Sequence, residues 1–287
     1  MQASCSPPPI EPQPVLQRAN GALRLQIQAK GGRNALHTLY QQAPCRALMP
    51  DAEPGAPLEA VLVNSSGGLV GGDRLDIEVA VGPGAWATLT SQAAEKLYRS
   101  TGEEARVETR LSVGAGAWAE WLPQETILFD GARLRRRLTI DLAADARLLA
   151  AEMVVFGRAA RGESFTHGFL HDSWAIRRDT RLAWADAIRL DGDIAMQRSR
   201  AFGFGNAAGY ATLVHAGPAA ASFLPVAREI AAAAPAEGGA TLVAGLLLLR
   251  FIADDAMRLR EAVIAAAGGL RAAIAGLPAR LPRVWQI

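Results

Sequence analysis

Several charged residues in strand-like segments fall in line with apolar residues, where a chain normally places its core. Glu125, Glu152 and Asp186 are acids in such positions, and Arg136 is a base that lies between two leucines. Burying a carboxylate without a partner costs several kcal/mol or leaves it protonated. These groups therefore need an oppositely charged partner, water or a metal ion.

Two arrangements would satisfy these groups, and the sequence leaves both open. In the first, buried ion pairs form, for instance Arg136 or Arg158 with Glu152 or Asp186. In the second, the carboxylates line a polar, water-filled passage that binds a divalent cation weakly and releases it. Carboxylate and water ligands suit such exchangeable binding better than thiolates do.

A glycine-rich segment, Gly-Gly-Leu-Val-Gly-Gly-Asp at residues 67–73, is the most conspicuous local motif. Successive backbone amides in such a loop can bind an anion. The segment lacks the Gly-Lys-Ser/Thr of a phosphate-binding loop and the glycine spacing of a dinucleotide site. It favours a tight turn or a backbone surface that approaches a partner, and for the second case Gly67, Gly68, Gly71 and Gly72 are the candidates for partner contacts.

The histidines and cysteines do not form a metal-binding pattern in the sequence. His167 and His171 would share one face of a helix, but residues 164–178 alternate as a strand. Positions four apart in a strand are about 13 Å apart, too far for one ion to bridge. Cys5 and Cys45 are too few for a Cys-based zinc site. These residues therefore predict no tetrahedral metal site.

Two arginine-rich stretches, 133–137 and 177–178, raise the question of nucleic-acid binding. Both lack interleaved aromatic residues and lie beside acids, and the formal net charge of the chain is only +2. They favour a solvated sheet face or a protein interface, and we predict no nucleic-acid partner.

The elements that must position these residues are mainly strands. Residues 21–191 alternate with a period of two, and Val-Gly-Pro-Gly-Ala-Trp-Ala at 81–87 recurs as Val-Gly-Ala-Gly-Ala-Trp-Ala at 113–119. A weaker copy follows at 142–148. Each copy resembles a strand, a tight turn and a strand, so the sequence predicts a mainly β fold of stacked sheets with solenoid-like β-hairpin repeats.

The last third of the chain differs in character and predicts a small helical part. A short helix is expected over residues 225–236 and a final helix after residue 255. Residues 240–252 form a buried apolar strand or helix, and their Val, Leu and Phe content favours a strand. Gly268 and Gly269 could split that final helix in two.

The 287 residues suffice for a single large domain. We predict a flexible, Pro-rich lead-in over residues 1–20 and one domain over 21–287, with the β core at about 21–220 and the mixed part at about 221–287. The lead-in lacks the pattern of a secretory signal. The longest apolar run, 241–252, falls short of the ~20 residues of a membrane span. A cytoplasmic protein without membrane contact is expected.

Six sequence blocks, in this order, resemble the UreD (UreH) family of urease accessory proteins. They are NSSGGLVGGD at 64–73, TSQAAEKLYRS at 90–100, EWLPQETILFDGA at 120–132, EMVVFGRAARGE at 152–163, RLDG at 189–192 and PRVW at 282–285. The blocks extend over nearly the whole chain after residue 21, and the long central ones are the most specific.

The resemblance implies a non-catalytic scaffold or metallochaperone that helps insert nickel into the urease apoprotein. It implies direct binding to UreF, contact with the GTPase UreG through the joint complex, and contact with urease itself. Nickel would be passed on rather than kept as a cofactor, so any Ni²⁺ bound here would be transient. The implied fold is stacked β-sheets with a small C-terminal helical part.

Five acids within the matched blocks and one just ahead of the fifth block are the predicted residues of a transient nickel path. They are Asp73, Glu125, Asp130, Glu152, Glu163 and Asp186. A β-solenoid carbohydrate-active hydrolase or lyase is the alternative from another class. It would use Glu125, Asp130 or Glu152 as paired acid and base, about 5 to 10 Å apart in one open cleft. A purely structural binding module is a third hypothesis.

Overall fold

The structure is a computed structural model that describes residues 17–51 and 56–286. Most of the predicted lead-in, up to residue 16, lies outside the described residues, and Asn20 already begins the first strand. The described residues form 18 strands and three α-helices. No helix among them combines the length and the apolar character that a membrane crossing requires.

The elements have the following bounds. The strands are β1 (Asn20–Lys30), β2 (Arg33–Gln42), β3 (Cys45–Leu48), β4 (Leu58–Asn64), β5 (Arg74–Val81), β6 (Trp86–Ser91), β7 (Glu95–Leu97), β8 (Ala105–Val113), β9 (Trp118–Leu122), β10 (Thr126–Leu128), β11 (Arg133–Leu142), β12 (Arg147–Arg158), β13 (Glu163–Ser164), β14 (His167–Arg178), β15 (Arg181–Asp193), β16 (Gly209–Ala216), β17 (Glu237–Val243) and β18 (Leu246–Ala253). The helices are α1 (Ile194–Arg198), α2 (Leu224–Ala233) and α3 (Ala256–Ala275).

The strands build two stacked sheets, which confirms the predicted mainly β fold. The first sheet has the order β15-β14-β11-β8-β5-β1-β2, and the second has the main order β17-β18-β16-β12-β9-β6-β4-β3. Neighbouring strands from β1 to β14 in the first sheet, and from β4 to β12 in the second, run parallel. Antiparallel strands close both ends of each sheet.

The sequence repeat is one coil of a solenoid-like stack rather than a hairpin. In the first copy the turn at Gly84 leads from β5 in the first sheet to β6 in the second. Each strand then pairs in parallel with its equivalent in the next copy, Val81 with Val113 and Trp86 with Trp118. The alternation predicted the strands and the turn correctly, but it contains no information on whether the two strands pair with each other.

The core has two layers, one on each side of the second sheet. Strand β12 is buried on both faces: Leu148 and Val154 point into the space between the sheets, and Leu149 and Met153 point toward the helices. Glu152, predicted to fall in line with apolar residues, therefore lies on the face of β12 that points between the sheets. A charged side chain there has little access to water.

The C-terminal part extends the second sheet and covers its outer face. The single strand predicted over 240–252 is two strands, β17 and β18, joined by a turn at Ala244 and Gly245. Helix α3 continues through Gly268 and Gly269, so the expected split is wrong. At Gly268 a β-carbon would lie 2.8 Å from the carbonyl oxygen of Ala279, so this glycine allows the segment after the helix to pack closely.

Candidate functional site: a buried charge cluster between the sheets

The centre of the cluster is an ion pair between neighbouring strands of the first sheet. Arg136 on β11 and Asp172 on β14 are in register, and both point inward. Arg136 Nε and Nη2 donate to Asp172 Oδ1 and Oδ2 at 2.8 and 2.7 Å. Arg136 Nη1 donates to Thr126 Oγ1 at 3.0 Å, and Tyr210 Oη donates to Asp172 Oδ2 at 2.8 Å. This planar, two-bond pairing is the strongest that a guanidinium forms with a carboxylate.

Glu152 approaches the same guanidinium from the second sheet. Its Oε2 lies 3.3 Å from Arg136 Nη2 but makes no hydrogen bond, while Oε1 accepts one from Trp121 Nε1 at 3.3 Å. Burial raises the pKa of Glu152 to about 7. The negative charge of Asp172 adds to this rise, and the positive charge of Arg136 opposes it. With both acids ionised, two negative charges would face one positive charge. The cluster is therefore neutral only when it takes up a proton or a cation.

A cavity of about 220 Å³ connects this cluster to a second, partly buried acid. Glu95, Glu152 and Arg136 line it, together with Gly67 and Gly68 of the glycine-rich loop. Burial raises the pKa of Glu95 to about 7, against the two hydrogen bonds that Asn64 Nδ2 donates to its carboxylate at 3.1 and 3.2 Å. Two carboxylates that ionise near neutral pH thus line one space between the sheets.

These two acids make the stability of the protein depend on pH. Both carboxyls have a folded-state pKa of about 7, above the ordinary value of 4.5. The stability that they contribute is complete below about pH 4.5 and is lost as the pH rises through about 7, since the folded state must then ionise one buried and one partly buried carboxyl group. We expect the melting temperature to fall between about pH 5 and 8, and Glu95→Gln to reduce that fall, as calorimetry at several pH values would measure.

Glu78→Gln is the matched control for this prediction, because Glu78 lies on the exposed face of β5 with 42% of its side chain accessible. The control should show the wild-type dependence on pH. An unchanged dependence in Glu95→Gln would contradict the assignment of Glu95 as a partly buried acid that ionises near neutral pH.

Three of the predicted acids fix loops and do not line this cavity. Asp73 is buried and accepts hydrogen bonds from the backbone N–H groups of residues 19 and 70, at 2.8 Å each. Asp130 Oδ1 accepts from the backbone N–H groups of Thr166 and His167 at 2.8 and 3.0 Å. Glu163 pairs with the Arg158 guanidinium. Asp73 and Asp130 thus satisfy backbone amides, and Glu163 Oε1 accepts a further hydrogen bond from the backbone N–H of Asp130 at 3.2 Å.

The other two predicted acids pair with arginines of the C-terminal part. Glu125 Oε2 accepts from Arg260 Nη1 of α3 at 2.6 Å, and Asp186 Oδ2 accepts from Arg250 Nη2 of β18 at 2.7 Å. Of the ion pairs predicted from the sequence, Arg136 with Glu152 is present. The predicted pairing of Arg158 with Glu152 or Asp186 is wrong, because Arg158 lies beside Glu163 instead.

The glycines at 67–73 are used mainly for contacts within the chain. A β-carbon at Gly68 would lie 2.5 Å from Tyr98 Cε2, and one at Gly71 would lie 2.0 Å from Ser100 Oγ. Gly67, in contrast, has open space where its side chain would be. The close approach that the motif predicts therefore exists, but at Gly68 and Gly71 it is made by the protein's own residues 96–103.

Sequence reasoning missed Asp172 and Glu95. Asp172 alternates with Leu170 and Trp174 in a predicted strand, so the pattern that found Glu152 would also have found Asp172. Glu95 follows two alanines and precedes a lysine, so alternation gives no signal there. Within residues 17–51 and 56–286, no group of three or more His, Cys, Asp or Glu side chains is arranged to hold a metal ion.

The fold and the cluster together define a two-sheet, solenoid-like β protein with a cavity between its sheets, lined in part by the acids Glu95 and Glu152 and by the bases Arg46, Lys96 and Arg136. Comparison with known proteins then shows the family: a model described as UreD urease accessory protein matches residues 19–286. The chain belongs to this UreD family.

Relatives with the same description are similar over nearly their whole length. The urease accessory protein UreD of Magnetococcus marinus is 44% identical over 284 residues, covering 97% of this chain and 98% of that protein. The UreD protein of Methylobacterium sp. is 45% identical, with 95% and 96% covered. The UreD protein of Azorhizobium caulinodans is 42% identical, with 96% and 98% covered.

Proposed function

We propose that this protein is a cytoplasmic urease accessory protein that helps insert nickel into the urease apoprotein and passes Ni²⁺ through the cavity between its sheets. It would do so in a complex that includes UreF, bound directly, and the GTPase UreG. Membership of the UreD family supports the accessory role. The proposal assigns no catalytic step and no tightly bound cofactor to this chain.

The observation behind the proposed path is the unbalanced charge of the buried cluster. Glu152 Oε2 is buried without a hydrogen bond, and Glu95 lines the same cavity. A site that exchanges a proton near pH 7 can also exchange it for a cation, because both neutralise the same carboxylate. Oxygen ligands bind such an ion weakly enough to release it. Of the six acids predicted from the sequence, Glu152 is the one that we retain for this role.

The hydrolase or lyase alternative is not favoured. Glu125 contacts Arg260 of α3, and Asp130 caps the start of β14, whereas Glu152 points into the space between the sheets. Paired catalysis would need two of these carboxyls to face one another across an open cleft. Their different partners give each of them another role.

Urease activation in cells tests the accessory role. We expect that deleting this gene abolishes urease activity, that restoring the wild-type gene returns it, and that the restored protein is recovered together with UreF in a pull-down. Full urease activity after deletion would contradict the proposed function. Recovery of the protein without UreF would contradict the proposed direct partner.

A further inference from the structure

A row of basic side chains crosses the outer face of the first sheet. Arg74 on β5, Arg106 on β8, Arg135 on β11, His171 on β14 and Arg189 on β15 are in register from strand to strand. Residues that face each other across adjacent strands point to the same side of the sheet. At about 4.8 Å per strand, the row is roughly 19 Å long.

Within the described residues, few carboxylates neutralise this basic row. Arg135 pairs with Glu104 at 2.7 Å, and Arg189 pairs with Asp191 at 3.1 Å. Among the described residues, Arg74 and Arg106 form no ion pair. Like charges directly opposite one another destabilise a sheet. The row therefore has excess positive charge at a cost to the isolated protein.

An aromatic ring and a neighbouring arginine reinforce the row. The guanidiniums of Arg133, Arg135 and Arg189 lie 5.2, 5.1 and 5.8 Å from the centre of the Phe169 ring, which is 2% exposed. Stacking on a buried ring limits the freedom of these guanidiniums before any ligand arrives. Arg133 adds a further positive charge, and its Nε makes no hydrogen bond.

The positive electrostatic potential around the row affects its nearest acid, Glu104. The pKa of Glu104 is lowered, first by its hydrogen bond from Arg135 and further by the charges of Arg135, Arg106 and Arg133. Since a guanidinium can only donate, His171 Nδ1 accepts from Arg135 Nη1 at 2.9 Å. The imidazole thus helps to orient Arg135 within the row.

We propose that this basic row binds an acidic segment of a partner protein whose carboxylates lie in one line at about 5 Å spacing, as along one face of a helix. The proposal does not depend on nickel transfer. It assigns to the outer face of the first sheet a docking role separate from the cavity between the sheets.

The neighbouring rows on the same face of the sheet favour a protein over a nucleic acid as the partner. The next row contains Asp76 and Glu108 on β5 and β8 and Arg137 on β11, and the one after it contains Glu78 and Arg110. Phosphates running beyond the basic row at β5 and β8 would meet carboxylates and be repelled. Single-stranded nucleic acid also binds by stacking on exposed aromatic rings, whereas Phe169 is buried. A partner with a single line of acids flanked by neutral or basic residues matches both features.

Fluorescence anisotropy with the full chain tests the proposal. The probe is a labelled 16-residue helical peptide with glutamates on one face, and a sixteen-nucleotide oligothymidylate is the comparison. In Arg106→Gln combined with Arg189→Gln, we expect the peptide affinity to fall at least about ten-fold at low salt. The control combines Arg177→Gln with Arg181→Gln, which removes two charges at the other end of β14 and β15; it should change the affinity by less than about two-fold.

Each result decides the proposal. An equal loss in the control, or no loss in the row variant, overturns it. Tighter binding of the oligothymidylate through the same arginines also overturns it and assigns the row to nucleic acid. As a readout without ligand, Arg106→Gln should raise the melting temperature by about 1 °C at low salt, since it relieves like-charge repulsion. A lower melting temperature would contradict the excess charge on which the proposal depends.

Discussion

Replacing Arg136 by methionine is expected to destabilise the protein by about 3–5 kcal/mol. Arg136 is 8% exposed and is the shared partner of Asp172 and Glu152, which are 4% and 6% exposed. Removing the guanidinium leaves two buried acids that must either ionise without a partner or take up protons. Urea unfolding followed by tryptophan fluorescence would measure the change in the free energy of unfolding.

Two further variants show whether the loss is due to uncompensated charge. Arg110→Met removes an arginine from the exposed face of the same sheet, where 48% of the side chain is accessible, and should cost no more than about 1 kcal/mol. Adding Asp172→Asn and Glu152→Gln to Arg136→Met should recover part of the stability. A loss below about 1 kcal/mol for Arg136→Met would contradict a tightly paired cluster.

Replacing Arg271 by methionine is expected to cost a similar amount, about 3–5 kcal/mol, and to loosen α3. Arg271 Nε and Nη2 donate to the two oxygens of Glu120 on β9, at 2.8 and 3.0 Å. Glu120 is fully buried and also accepts from Thr88 Oγ1 at 2.5 Å. Without Arg271 its carboxylate would lose its charged partner under the helix. Hydrogen exchange of the α3 amides should accelerate along with the fall in unfolding free energy.

Arg258→Met is the matched control on the same helix. Arg258 is 62% exposed, and its contact with Asp254 is 3.6 Å long, so its loss should change stability by less than about 1 kcal/mol. Equal effects of the two substitutions would show that α3 is held by apolar packing alone. That result would contradict an ion pair that attaches the helix to the second sheet.

The C-terminal Pro-Arg-Val-Trp motif shows that a family resemblance can identify a sequence block without revealing its structural role. The sequence identified the block but gave it no structural role. In the structure, Trp285 is buried, and its Nε1 donates to Thr90 Oγ1 at 3.1 Å and to the carbonyl oxygen of Leu122 at 3.2 Å. Arg260 of α3 lies 4.9 Å from the centre of its ring. These contacts join residues about 160 to 195 positions apart, which no local pattern can predict.

The fold was more predictable than the site for a physical reason. Alternation reports which face of a strand is buried, so it placed Glu152 and Arg136 correctly among apolar neighbours. It does not report which strand lies opposite. The pairing of the repeats between two sheets, and the meeting of Arg136 with both Asp172 and Glu152, depend on that long-range arrangement.

The predicted acids lie in different parts of the structure, which the sequence could not show because a local sequence pattern does not report the long-range arrangement of the chain. Asp73 and Asp130 sit in loops, where a short carboxylate satisfies nearby backbone N–H groups, and this use leaves no signal distinct from metal binding in the sequence. Gly71 likewise signalled a close approach without identifying the residue that approaches. The residue types predicted that other groups must contact these positions. The three-dimensional structure is needed to identify those groups.

The nickel content of urease is the measurement that tests the central claim most directly. Urease would be purified from cells in which this gene is replaced by Glu152→Gln, or by Asp186→Asn as a control acid that pairs with Arg250. Glutamine keeps an acceptor for Trp121, and it resembles the neutral form that the folded protein already favours below about pH 7, so folding and recovery with UreF should be retained. We predict at least about a ten-fold loss of nickel per urease active site with Glu152→Gln and none with Asp186→Asn. Wild-type nickel content with Glu152→Gln, in a complex that still contains UreF, would contradict a nickel path through the cavity.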